Sequence, residues 1–408
     1  MKNNKKYIGI VLLAALLMGS SLGLNSNTVG VFLQPVATGL NESVGAISMH
    51  STIMSLGMAI SAFIIPPVLD KLPFRAMISM ATLMNAGSIF LMSYVNEAWQ
   101  LNALGLVRGI SAAFFGIVAL QLLINNWFIS KHGLVTSIVF SFSGLLGAVF
   151  SPVFSRVIQG FGWSTGYQIL ALCVLLFNAP GILLPYKFYP VDEGATPYQE
   201  HEEQSPDQET ITYFGPKKPY QFLSVTFFIV MLFSAMVPPL TGLAQHLAGI
   251  GLDFSFTATI GAYMISACMV GNITFKLLIG TLSDLRGTVF ALLSIIGVVA
   301  LGLGMIYFSA TNLGVIIGSF LYGAIFSIAS VGVSLFVKDL YSTSEFPKLF
   351  PIINFITNTA GALAVSFFGY SFDFTGSYGF AVLFSIALCI IGSILVLLIT
   401  KSLKTIQN

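Results

Sequence analysis

The sixteen residues Asn272–Gly287, NITFKLLIGTLSDLRG, put a lysine inside an apolar run and close on Gly280-x-x-x-Asp284-x-Arg286-Gly287. Asn272, Lys276, Gly280 and Asp284 recur every four residues, so a helix would carry them on one broad face. Lys276 would lie roughly 12 Å along that helix from Asp284. A charge at such depth in a membrane costs about 2.5–3.5 kcal/mol on insertion scales. That cost is met only where the ammonium faces protein, water or a ligand.

The surrounding composition supplies the membrane. Of 408 residues, 56% are hydrophobic and 8% charged, against about 25% charged in a soluble domain. Phe-rich apolar runs of helix-spanning length recur, which predicts an all-α, polytopic membrane protein. The 3 cysteines, Cys173, Cys268 and Cys389, sit far apart in apolar runs and read as small core residues. Lys2, Lys5 and Lys6 followed by an apolar stretch imitate a signal peptide, but with many spans behind it the reading is a retained first helix.

Twelve spans fit the pattern, at about 7–34, 44–69, 74–95, 98–127, 133–161, 164–187, 219–248, 255–282, 287–309, 312–337, 347–371 and 377–400. With the N-terminus inside, most of the 17 Lys and Arg fall on inner segments, while the outer loops hold Glu42, Glu97, Asp253 and Asp373. The positive-inside rule then places both termini in the cytoplasm. Trp99, Trp127 and Trp163 fall where interface belt residues are expected. The hydrophilic stretch 188–218, rich in Pro, Glu and Gln and carrying His201, reads as a cytoplasmic linker between six-helix halves at 1–187 and 219–408. An offset of 214 aligns Asp70 with Asp284, Trp127 with Tyr341 and Trp163 with Ser377, the signature of a duplicated unit.

Twelve spans in two parallel halves around a mid-chain loop resemble the major facilitator superfamily (MFS), and Gly280-x-x-x-Asp284-x-x-Gly287 resembles its second-half loop motif. The first-half copy, Pro66-Pro67-Val68-Leu69-Asp70-Lys71-Leu72-Pro73-Phe74-Arg75, has prolines where glycines are usual. Finer features are similar to the branch of oxalate/formate antiporters and monocarboxylate transporters. They are Gly30-Val31-Phe32-Leu33-Gln34-Pro35, Asn126-Trp127-Phe128 with Lys131-His132-Gly133, Gly162-Trp163-Ser164, and Asp373-Phe374-Thr375-Gly376-Ser377-Tyr378. In that branch the position of Lys276 is usually an arginine that binds substrate carboxylate. The span-eleven lysine of the oxalate antiporters is absent, and Asn354, Thr357, Asn358 and Thr359 occupy that helix.

Lys276 is therefore the first candidate for a substrate contact, as a point charge suited to one carboxylate. The alternative is a snorkelling or structurally paired lysine. Arg108, in Arg108-Gly109 of span four, is the second, and the alternative there is an arginine bonded to neighbouring helices. Asn27, Gln245, His246, Tyr322, Asn272 and Asn358 complete the candidate binding set on spans one, seven, eight, ten and eleven. His246 and His50, in the outer halves of spans seven and two, are the candidates for proton coupling, because His titrates near neutrality unaided, and the alternative for each is an uncharged, hydrogen-bonded His. Asp70, Arg75, Asp284 and Arg286 read as gating residues at the inner turns. No Asp or Glu falls in the middle of a span, so the cavity would attract anions and offers no membrane carboxylate for a proton relay.

No P-loop, Cys/His metal spacing or Ser/His/Asp set is present, so neither enzyme chemistry, a cofactor, a metal nor a nucleic-acid partner is expected. The expected function is alternating-access transport of a small organic anion, a monocarboxylate, with a coupling proton or counter-anion. The expected setting is a bacterial plasma membrane, and the expected state a monomer. Export of a neutral or amphipathic compound is the alternative, followed by a membrane sensor that moves no cargo.

Overall fold

Gly162 decides how often the chain crosses the membrane. In the computed structural model one helix, His132–Leu183, is 52 residues long, roughly 78 Å by helical rise and more than twice a bilayer core. At Gly162 φ is 84° and ψ is 164°, a conformation open almost only to glycine, and the helix breaks there into two spans. The structure describes residues 2–69, 71–184, 186–199, 225–341 and 346–405. Among them 11 helices are long and apolar enough to cross a membrane, and the doubled one brings the passes to twelve. The chain divides into two compact units, Met1–Gln204 and Ser205–Asn408.

The first unit holds α1 to α6. Helix α1 runs in three stretches: Lys2–Met18, a wider π-wound turn at Gly19–Asn27, and Gly30–Leu40. The π-wound stretch, GSSLGLNSN, is small and polar, so the helix can loosen there and lie close to its neighbour. A Cβ on Gly23 would come within 2.9 Å of the Ser143 carbonyl. Asn41, left-handed at φ 55°, ends α1. Then come α2 (Val44–Leu69), α3 (Phe74–Met92), α4 (Ala98–Ala113 and Ile117–Trp127), α5 (132–161) and α6 (163–183).

The stretch expected to start a solvated linker begins as a packed strap. Tyr198 donates its N–H to Trp127 O at 2.7 Å, and Ile129 and Ser130 return theirs to Tyr198 O. Lys6 pairs with Glu193 at 3.2 Å, and Tyr7 donates to Thr196 O at 2.8 Å. Phe188 and Ala195 join the core cluster that contains Ile10, Leu123 and Trp127. Trp127 is thus a core residue rather than a lipid-facing belt residue: it is wholly buried, with Nε1 donating to Lys187 O at 3.2 Å. Trp99 is exposed, as expected of a belt residue. His201 lies outside the described residues.

The second unit holds α7 to α12. Helix α7 also runs in three stretches: Val225–Met236, a tight 3-10 segment at Pro238–His246, and Leu247–Asp253. Pro238 and Pro239 remove two backbone donors where the winding changes. Next are α8 (Ala258–Arg286), α9 (Thr288–Phe308), α10 (Asn312–Tyr322, Ile325–Ser327, Ile328–Gly332 and Val333–Leu340), α11 (Phe346–Thr375) and α12 (Gly379–Thr405). Thr257 and Thr311 cap α8 and α10 by accepting from Ile260 N at 3.3 Å and Gly314 N at 3.1 Å.

The duplication reaches individual contacts. A Cβ on Gly57 would press on Leu106 O, and one on Gly271, 214 residues later, on Phe320 O, the equivalent of Leu106. Gly109 meets Met54 O, and Gly323 meets Cys268 O. The α2–α4 pair of the first unit and the α8–α10 pair of the second are therefore the same glycine-enabled close packing built twice.

Candidate functional site

Lys276 sits ten residues before the end of α8, roughly 15 Å by helical rise. It is half-buried, and among the described residues it has no hydrogen-bond or ion-pair partner. One turn further, a Cβ on Gly280 would meet nothing within 4 Å, so this face of α8 is open. One turn back, Asn272 is 4% exposed and its Oδ1 accepts no hydrogen bond, while Nδ2 reaches only Met269 Sδ at 4.0 Å. A cation and an unmet acceptor therefore follow one another along the same helix face.

Two further unmet acceptors of the second unit lie on α7 and α11. Gln245 Oε1 and Thr357 Oγ1 are buried without partners. The two helices are in register, with Gly361 beside Thr241 and Gly242 against Ala364 and Val365. Asn358 is exposed on α11. Thr357, its neighbour, stands among Asn354, Asn358 and Thr359 in the sequence, and spacing alone does not single it out.

Arg108 is engaged within the first unit. It is 1% exposed, donates from Nε to Asn25 Oδ1 and from Nη2 to Asn25 O, both at 2.8 Å, and places Nη1 3.8 Å from Met92 Sδ. Asn25 lies in the π-wound stretch of α1 and donates Nδ2 to Ser20 O at 2.9 Å. Tyr322, 214 residues after Arg108, does the same work in the second unit: it is fully buried and donates to Leu240 O in the 3-10 segment of α7. Arg108 and Tyr322 are thus equivalent braces on the two irregular helices. Asn27 donates Nδ2 to Ser143 O at 3.0 Å, tying α1 to α5.

His246 has both ring nitrogens occupied, by Tyr378 Oη at 3.0 Å and Val365 O at 2.8 Å. His50 is also buried, with Nδ1 on Ile47 O. Of the gating set, Arg75 donates to Ile182 O, holding α3 to the end of α6. Arg286 stacks 5.0 Å from the centre of the Phe290 ring. Gly287 ends α8 at φ 86°, ψ 157°, which explains the motif's final glycine. Asp284 is the second-unit carboxylate of that turn, and Asp70 lies outside the described residues.

Comparison with known proteins places these features. A profile of the Major Facilitator Superfamily matches residues 15–365. An uncharacterised MFS-type transporter, YcxA of Bacillus subtilis (strain 168), is 24% identical over 390 residues, covering 91% of this chain and 89% of that protein. Among solved structures, the nucleoside transporter NupG superposes with a TM-score of 0.70 at 13% identity, over 97% of this chain and 98% of that one. A D-xylose–proton symporter superposes at 0.67 and 14% identity, over 96% and 95%. At these identities the structures share the fold alone: twelve transmembrane helices in two six-helix bundles.

Proposed function

The chain belongs to the major facilitator superfamily, as a membrane transporter and not an enzyme, and from that premise we propose that it carries small organic anions, monocarboxylates first, by alternating access. Lys276 carries the reading. An ammonium without a partner among the described residues, along a transmembrane helix, needs an anion, and the carboxylates of those residues fall at helix ends and turns. The cargo carboxylate supplies that anion and lowers the cost of moving the charge through the conformational cycle. The coupling partner is a proton or a counter-anion. The Lys- and Arg-rich turns and both termini face the cytoplasm of a plasma membrane in this reading.

A second reading, neutral polar cargo, draws on the unmet acceptors of Gln245 and Asn272, which suit hydroxyl or N–H donors. The relatives named for nucleoside and D-xylose transport are consistent with it.

Thermal unfolding of the purified protein with acetate, propionate, pyruvate, oxalate, uridine or xylose separates the two. At a hundredfold excess over Kd a bound cargo stabilises by about 2.7 kcal/mol. A carboxylate shift present in the native protein and lost in Lys276→Met is the expected result. A carboxylate shift undiminished in Lys276→Met overturns the role of Lys276. A uridine or xylose shift that survives Lys276→Met gives the neutral reading instead.

A further inference from the structure

The Asp373–Tyr378 turn is the sequence motif that substrate binding does not absorb, and in the structure it is one side of a polar latch. Gly376, at φ 72°, turns the chain between α11 and α12. Asp253, the last residue of α7, accepts from Ser377 Oγ and from Tyr378 N–H, both at 2.8 Å. The Tyr378 ring stacks on Phe372 at 4.4 Å and lies over Gly249, where a Cβ would come within 2.9 Å of the ring. Its hydroxyl meets His246 Nδ1 at 3.0 Å, while His246 Nε2 meets Val365 O at 2.8 Å.

The hydrogen-bond roles are forced. A carbonyl can only accept, so Nε2 carries the hydrogen, and in a neutral ring Nδ1 is then the acceptor of the Tyr378 hydroxyl. Both ring nitrogens and the hydroxyl hydrogen are satisfied together only while the ring is neutral and Tyr378 donates. A second proton, on Nδ1, would face the hydroxyl hydrogen. The hydroxyl would have to reverse, leaving its own hydrogen without an acceptor in a site where His246 and Tyr378 are each 1% exposed.

We propose that His246 and Tyr378 form a proton-binding latch: neutral His246 pins the 3-10 segment of α7 to α11 and to the α11–α12 turn, and a proton taken up on His246 Nδ1 from solvent releases it. No other covalent bond forms or breaks in that step; the hydrogen bond from the Tyr378 hydroxyl to Nδ1 is the one lost.

The ionisable surroundings suit a cation once the latch is open. Asp253 lies two turns further along α7, and Asp373, on α11, acts electrostatically on both His246 and Tyr378. Tyr307 of α9 packs on Phe254 and beside Gly379, and Tyr322 of α10 is engaged at Leu240. Helix α8 meets the end of α7 through Gly261 and Met264, which do not titrate. None of the residues named in this set is a cation.

The first unit provides the contrast. At the offset of 214, His246 corresponds to Phe32, Tyr378 to Ser164, Ser377 to Trp163 and Asp253 to Gly39. There Phe32 stacks on Tyr167 at 4.5 Å and the Trp163 indole covers Gly39. The joint that carries a histidine in the second unit carries a phenylalanine in the first, so this latch is present in one repeat alone. This inference stands apart from Lys276 and from the chemistry of the cargo.

Hydrogen exchange read by mass spectrometry on the full protein tests it without a substrate. The probe is the peptide spanning 366–380, at pH 8 and pH 5.5, corrected for chemical exchange. If the proton enters only the open latch, with an exposed histidine near 6.5, exchange is about tenfold faster at pH 5.5 than at pH 8. The matched first-unit turn around Gly162 shows no such change. His246→Gln abolishes the pH response. Tyr378→Phe removes the hydroxyl that donates to Nδ1, so the latch is weaker and exchange is faster at pH 8. A native response within twofold, or one retained in folded His246→Gln, overturns the proposal. Should His246→Gln not fold, Tyr378→Phe exchange at pH 8 equal to the native rate overturns it too.

Discussion

Alanine at Gly109 or at Gly323 costs on the order of 3 kcal/mol or more, enough to leave little folded protein. The expectation rests on what the new Cβ would meet. At Gly109 the neighbours are Met54 O, C and Cα, and at Gly323 they are Cys268 O and C and the Asn272 nitrogen at 2.9 Å. All are backbone atoms of a facing helix, so no side chain can rotate away, and relief requires α2 and α4, or α8 and α10, to separate. Overpacking typically costs about 1–3 kcal/mol, and a backbone-limited contact belongs at or above the top of that range. Gly297 and Gly304 supply the control, since a Cβ on either meets nothing within 4 Å. Alanine there should be neutral, or stabilising by up to about 1 kcal/mol through helix propensity. Unfolding midpoints in detergent check the contrast. Gly109→Ala and Gly323→Ala proteins that melt with Gly304→Ala would show the close packing to be dispensable.

Those glycine pairs also show how far the sequence could be read. The offset of 214, visible from Asp70/Asp284 and Trp163/Ser377, predicts that Gly109 and Gly323 hold equivalent places, because duplication preserves spacing. The twelve passes were legible for the same reason: apolar length and punctuating glycines are local properties. Gly162 and Gly287 stand in motifs that the resemblance picked out, and their positive φ values supply the physical cause. Contacts between distant positions were not legible. Asp253 and Ser377 lie 124 residues apart, and His246 and Tyr378 lie 132 apart, so their pairing follows from packing rather than periodicity. The strap failed for a related reason. Residues 188–199 are polar enough to read as solvated, yet Phe188, Ala195 and Tyr198 find an apolar and aromatic surface made by Tyr7, Trp127 and Phe128. Lys276 stands out in the sequence because a charge inside an apolar run needs an explanation wherever it occurs. Arg108 was found by the same logic, but its partner Asn25 emerges only from the altered winding of α1.

Arg108→Met should destabilise the first unit by about 3–5 kcal/mol, more than Tyr322→Phe destabilises the second. Methionine fills much of the volume but donates nothing, so Asn25 Oδ1 and Asn25 O lose their 2.8 Å partners in a site from which solvent is excluded. Each orphaned buried acceptor costs roughly 1–3 kcal/mol. Tyr322→Phe orphans one carbonyl, Leu240 O, and should cost about 1–3 kcal/mol by the same rule. Arg108→Lys keeps the charge but replaces a planar fork by a point donor, so it should fall between native and Arg108→Met. The series also separates the two roles open to this arginine. A brace predicts that stability falls in the order native, Lys, Met, with any loss of transport following the loss of folded protein. A direct substrate contact predicts the reverse: Arg108→Met as stable as the native protein, with the carboxylate shift gone. The second outcome would mean that the α1 break is held by Thr28, whose hydroxyl donates to Leu24 O at 2.7 Å, and by the Asn27 bond to Ser143, leaving the guanidinium free for cargo. The fork geometry on one asparagine, side chain and backbone together, is what favours the brace.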